Sequence, residues 1–159
     1  MKILRISSFL TVLAAVSVVL FAAAAVSAAG LPDASGVIVK TQNDQLKKFP
    51  VNGFASGSSE IPAQEWDKWA KLAAPVIKEI INKLPDGYSF QVTGHTDSDG
   101  SAEASGSFIG NNALSEQRAK AVADSLRNIG ITSSRMVTKG VADTETAQRC
   151  VTFKVVKTD

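Results

Sequence analysis

The sequence predicts an α/β fold, an α+β sandwich with two main helices packed on one face of a mixed parallel and antiparallel sheet. Two helical periodicities alternate with four strand-like runs, in the order β-α-β-α-β-β. The chain of 159 residues is 45% hydrophobic and 20% charged, which is globular composition and excludes wholesale disorder.

The N-terminal segment comes first because it changes the charge reading. Lys2 and Arg5 open the chain, and Ile6 to Pro32 carries no charge. Phe9 to Phe21 is mostly apolar, an alanine run follows, and Val26-Ser27-Ala28 places small or permitted residues at a cleavage site. Residues 1–28 therefore read as a signal peptide, or as an uncleaved N-terminal anchor, since the apolar stretch approaches the span of a bilayer. Either reading keeps the positive end in the cytoplasm and exports the rest. Without residues 1–28, 15 basic residues face 15 acidic ones. The pI near 8.7 then belongs to the leading segment, and no nucleic-acid partner is expected. Membrane contact is expected only through that segment, if it stays uncleaved. Cys150 is the single cysteine, so no intramolecular disulfide is available and no lipid attachment is expected near Ala28. It is expected to be a buried thiol acting as a small hydrophobe.

Residues 29–49 read as a linker or leading edge strand around Val37-Ile38-Val39, and residues 50–159 as the domain. Val51 to Phe54 is a candidate strand. Pro62 suits a first helical turn, and Trp66, Trp69, Ala73, Val76 or Ile77, Ile80 and Leu84 recur at three- and four-residue steps. The two tryptophans are expected in the core. Pro75 falls inside the pattern and is expected to kink or split the helix. Tyr88, Phe90 and Val92 alternate with polar residues, a strand signal that delivers Gly94-His95-Thr96-Asp97 at its end. The small-residue loop 98–110 holds little that packs and is expected to be mobile. Ser115 is a candidate N-cap for a second helix with Ala119, Val122, Ala123, Leu126 and Ile129 inside and Gly130 as its stop. Met136 to Val141 and Val151, Phe153, Val155 supply the last two strands. Strands joined through a helix are expected parallel, and the closing strands can pair antiparallel.

Ligands of open α/β sheets favour the crevice at strand C-termini. Asp97 and Arg118 near such an end could hold a zwitterion, the carboxylate taking an ammonium and the guanidinium a carboxylate. A structural salt bridge, or Asp97 fixing a turn with its own side chain, fits the spacing as well. The motif Gly94-His95-Thr96-Asp97-Ser98-Asp99-Gly100 is followed by Asn111, Leu114-Ser115, Arg118-Ala119, Ala121-Val122, Leu126 and Gly130-Ile131. Together they closely resemble the C-terminal domain of OmpA-like proteins, a family that includes peptidoglycan-associated lipoprotein and MotB. Phe54, Gly57-Ser58 and Ile61 resemble its first strand and turn. Arg149-Cys150-Val151 resembles an Arg-Arg-Val in its last strand, with Cys150 in place of the second arginine.

The resemblance covers about residues 50–156 and implies non-covalent binding of peptidoglycan. It implies that Asp97 holds the ammonium of meso-diaminopimelate in the stem peptide and Arg118 its carboxylate. Thr96, Asn111 and Leu114 match positions around that pocket, with capping or bracing of the loop an equal alternative for Asn111. It leaves Arg149 a structural role. The stretch from Asp97 to Asn111 is longer than the family's usual spacing, which puts the details of ligand contact in question.

No cofactor, metal or enzymatic activity is expected. An EF-hand loop beginning at Asp97 would need its bidentate glutamate where Phe108 stands. His95 is the single histidine and has no cysteine near it for zinc. His95 and Asp97 lie too close on one strand to serve a serine as a triad. The uncharged stretch 6–32 offers no proton-carrying acid for a stator, and little chain precedes the first motif for an outer-membrane barrel. The expected location is the periplasm or cell envelope of a diderm bacterium. A homodimer stays open, and the alternative function is a periplasmic protein-interaction adaptor using loop 98–110.

Overall fold

The computed structural model describes residues 34–142 and 148–158, so the expected signal or anchor segment lies outside the described residues. Three helices and three strands follow in the order α1 (Ala34–Leu46), α2 (Ala63–Asn82), β1 (Tyr88–Thr96), α3 (Asn111–Asn128), β2 (Met136–Ala142) and β3 (Val151–Lys157). The sheet order is β2-β1-β3. β1 and β2, joined through α3, run parallel with Phe90 opposite Met136. β3 runs antiparallel on the other side of β1, with Val92 opposite Phe153. The expected mixed sheet with two main helices is present. Among the described residues no helix is long and apolar enough to cross a membrane.

The alternation of β1 sorts its two faces. Phe90 and Val92 point to a dry core, where they meet Val151, Phe153 and Val155 of β3. The same cluster takes Ala73, Ile77, Ile80 and Ile81 from α2 and Ala119, Val122, Ala123 and Leu126 from α3. Burying one such valine, leucine or phenylalanine contributes about 1.5–3 kcal/mol. Trp69 stacks between Trp66 and Phe153, with centroids 4.9 and 5.5 Å away. Its indole N–H donates to the Phe49 carbonyl at 3.1 Å, and both tryptophans are partly buried, packing against the core from its rim. The opposite face of the sheet is polar, with His95 Nε2 and Thr152 Oγ1 hydrogen-bonded at 2.9 Å.

Three local expectations are corrected. Residues 34–46 form helix α1 rather than a linker or leading strand. The run Val37-Ile38-Val39 carries β propensity, but Gln42 and Leu46, four apart, are the buried positions, and such a stripe is helical. The candidate strand Val51–Phe54 contributes a single bridge, with Val51 and Val151 exchanging N–H···O bonds of 2.9 and 2.8 Å. Gly53, at φ +90°, then turns the chain away from the sheet. Helix α2 is not split: it continues through Pro75, which lies on its exposed side, where water can serve the carbonyl that the missing N–H leaves free.

Helix α1 also closes a sheet edge. The Asn43 side chain donates to the Val155 carbonyl at 3.1 Å and accepts from the Val155 N–H at 2.7 Å. One side-chain amide thus imitates a neighbouring strand on an edge that would otherwise be open to pairing. Asn43→Ala is expected to lower stability by about 1–3 kcal/mol in urea unfolding, since two buried backbone groups lose their partners.

Candidate functional site

Two glycines decide how α3 meets the sheet. Gly94 of β1 and Gly140 of β2 are register neighbours. A Cβ on Gly94 would collide with the Ser115 carbonyl, and one on Gly140 would lie 2.6 Å from Ser115 Oγ. The missing side chains leave a slot for the Ser115 turn of α3. Gly94→Ala is therefore expected to destabilise the domain by about 3 kcal/mol or more, read by thermal unfolding, because the obstacle is backbone that cannot rotate aside.

The loop before α3 determines where the helix begins. Ser101 and Ala102 carbonyls accept from the Asn111 and Asn112 N–H groups at 2.9 and 3.1 Å. These bonds serve the open donors of the first turn, so α3 starts at Asn111 after Gly110, with no side-chain cap. Ser115, expected as the N-cap, is buried in the second turn, and its hydroxyl donates to the Asn112 carbonyl at 2.8 Å. The loop carries internal structure as well: Ser105 and Phe108 form a β-bridge, and the Phe108 ring sits over Gly100. It is thus tied down at several points, where the sequence suggested a loop with little to pack.

β1 ends at Thr96, and Asp97 emerges beside a cavity of about 380 Å³. The cavity is lined by Asn52, Gly53, Phe54, Asp97, Gln148 and Arg149. Arg149 Nη1 donates to Asp97 Oδ2 at 2.9 Å. The Asp97 side chain is 18% exposed and that of Arg149 37%. The meeting follows from topology. β3 runs antiparallel to β1, so the residues just before β3 lie against the residues just after β1. Gly94 pairs with Val151, which brings the Gln148-Arg149 pair to Asp97.

The other expected site residues do not line this cavity. Arg118 is fully buried. Its Nε, Nη1 and Nη2 donate to the carbonyls of Ser58, His95 and Ala55 at 2.8, 2.8 and 3.0 Å. The guanidinium lies 5.3 Å from the centroid of Phe54, a cavity residue. Arg118 therefore fastens the 55–58 turn, and with it one cavity wall, to α3 and the end of β1. Burial pushes its pKa down from the usual arginine value, the Asp97 charge pulls it back up, and the Arg149 charge opposes that. The three charges thus share one electrostatic neighbourhood.

Asn111 Nδ2 donates to the carbonyls of Asp97 and Asp99 at 3.3 and 3.1 Å, so it braces the loop. Thr96 is fully buried, and its hydroxyl has no hydrogen-bond partner among the described residues. Leu114 is buried on the inner face of α3. Cys150 is buried, as expected, and burial raises its thiol pKa while the Arg118 charge offsets part of that rise. No group of acids, histidines or cysteines among the described residues could hold a metal ion.

Arg149 is the site residue that the sequence reading placed outside the pocket. Its signal was its position two residues before an alternating strand. That signal becomes informative only once the strand is known to pair antiparallel with β1.

Fold and cavity together define an α/β binding domain with an acid and an arginine at the end of its central strand. The chain belongs to the OmpA family, whose model matches residues 53–155. Members of this family are structural binding proteins and not enzymes. Among solved structures, an outer membrane protein from Borrelia burgdorferi B31 is similar at 22% identity and a TM-score of 0.52, over 69% of this chain and 86% of that one. The peptidoglycan-associated lipoprotein from Burkholderia pseudomallei is similar at 20% identity and 0.50, over 75% and 99%. The C-terminal domain of Helicobacter pylori MotB is similar at 19% and 0.50, over 69% and 86%. These likenesses concern the fold. No curated protein sequence matches the chain.

Proposed function

We propose that this domain binds peptidoglycan non-covalently in the cell envelope, by gripping the zwitterionic end of meso-diaminopimelate in the stem peptide. The carrying observation is the cavity at the end of β1, where Asp97 stands beside Arg149 and within electrostatic reach of the buried Arg118. An ammonium and a carboxylate on one carbon need one acid and one base placed together, and a charge-assisted hydrogen bond to each supplies both affinity and orientation. Membership of the OmpA family and a fold like that of a peptidoglycan-associated lipoprotein support the same reading.

Asp97 takes the ammonium. Arg118 contributes positive potential toward the carboxylate, with three of its five N–H groups committed to backbone. Asn111 holds the Asp97 backbone in place, and Thr96 and Leu114 are buried residues that the family resemblance sets around the pocket. The leading segment 1–28 serves export, as a signal peptide or an anchor, and the wall contact then fixes the domain to the sacculus.

The test is sedimentation of the folded domain with purified diaminopimelate-type sacculi, beside lysine-type sacculi. Capture by the first and not the second is the expected result, and equal recovery in the two supernatants would overturn the reading.

A further inference from the structure

We infer that Arg149 makes the cavity selective for ligands that carry a carboxylate beside their ammonium, by exchanging Asp97 for the ligand when the ligand enters. The inference rests on the proposed stem-peptide reading and adds to it a specificity residue, where the sequence pointed to a structural one.

The two arginines near Asp97 differ in what holds them. Arg118 has no exposed surface and is pinned by three backbone carbonyls, two from the 55–58 turn and one from the end of β1. It cannot turn toward a newcomer without leaving those carbonyls unpaired. Arg149 lines the cavity with its side chain partly exposed, and among the described residues its hydrogen bond goes to Asp97 alone. A partly exposed pair of this kind is worth about 0.2–1 kcal/mol, so it is readily given up.

The exchange follows from counting ion pairs. In the empty cavity Asp97 and Arg149 satisfy each other. A ligand bearing only an ammonium can take Asp97, but it then leaves Arg149 unpaired beside a second positive charge. One pair replaces another and a repulsion is added, so little affinity results. A ligand bearing a carboxylate next to its ammonium offers Arg149 a new partner within the length of its own side chain. Two ion pairs then stand where one stood, and the planar guanidinium can hold both carboxylate oxygens. Discrimination arises from the cost imposed on the wrong ligand as much as from contact with the right one.

The experiment compares two probes by titration calorimetry on the folded domain. One is the tripeptide L-Ala–γ-D-Glu–meso-diaminopimelate. The other is the same tripeptide amidated at the diaminopimelate carboxylate that sits beside the free amine. The wild type is expected to prefer the free acid. Arg149→Gln is expected to weaken the free acid about tenfold, the scale of one charge-assisted hydrogen bond. The same change is expected to leave the amide bound as well as before or better, so the preference collapses. Arg149→Lys keeps a cation without the fork and is expected to fall between. Asp97→Asn is expected to lose both probes. If Asp97→Asn loses both while Arg149→Gln keeps the full preference, the selectivity inference is overturned and the proposed function stands. If Asp97→Asn still binds both probes, or the wild type binds neither, the proposed function itself is overturned and this inference with it.

Discussion

Asp97→Asn is expected to abolish recovery of the domain with diaminopimelate-type sacculi while leaving it folded. The two halves of this expectation come from different atoms of one residue. The carboxylate faces the cavity, and its hydrogen bond to a partly exposed arginine is worth only about 0.2–1 kcal/mol; its charge also balances part of the buried charge of Arg118, so its removal lowers stability modestly without unfolding the domain. The backbone carbonyl accepts from Asn111 and is untouched by the change, so the loop keeps its brace. Ligand binding, in contrast, loses the one acid that the cavity offers to an ammonium. Retention on sacculi with an unaltered unfolding curve would remove Asp97 from the contact.

Arg118→Leu is expected to act in the opposite way, chiefly on stability. The guanidinium is buried and serves the carbonyls of Ser58, His95 and Ala55. Leucine fills part of the volume but leaves three partly buried acceptors without this donor, at about 1–3 kcal/mol for each that water cannot reach. A loss of roughly 3–5 kcal/mol is expected in urea unfolding, a large share of a typical domain's stability of about 5–15 kcal/mol. Arg118→Lys is expected to recover little of it, because one ammonium cannot span three carbonyls held apart by the arginine fork. Unchanged stability in Arg118→Leu would show that the guanidinium is not holding the wall and is free for the ligand. Loss of binding in an Arg118 variant therefore has to be read at a temperature where that variant is still folded.

The contrast between these two residues marks how far the sequence reached. They stand in two consecutive motifs of the same family pattern, and both were expected to touch the ligand. Only their environments separate them, and burial is not visible in a motif. The same holds for Asn111, whose amide serves two loop carbonyls, and for Ser115, which looked like a helix cap. The cap is instead supplied by the Ser101 and Ala102 carbonyls, from a loop whose composition suggested nothing that packs. Backbone carbonyls are common to every residue type, so no sequence pattern announces that they will cap a helix.

The main helices, in contrast, were legible because periodic burial writes itself into side-chain choice. Helix α2 shows Ala73, Ile77 and Ile80 inward and α3 shows Ala119, Val122 and Leu126, each at helical steps. β1 and β3 were legible through alternation. Helix α1 was not, because its anchor is polar. Asn43 holds the edge of β3, and Val37 and Ile38, which suggested a strand, face solvent.

The sequence by itself thus determined the layered α/β class, the two core helices, the family motif and the placing of Asp97 at a strand end. These depend on periodicity and on local residue chemistry. Only the tertiary structure decided that Arg118 is a fastening within the wall, that α1 seals the sheet, and that Arg149 reaches Asp97 from 52 residues away. Those outcomes depend on which strands pair and in which direction. That choice is made by the whole core at once, and no single stretch of sequence encodes it.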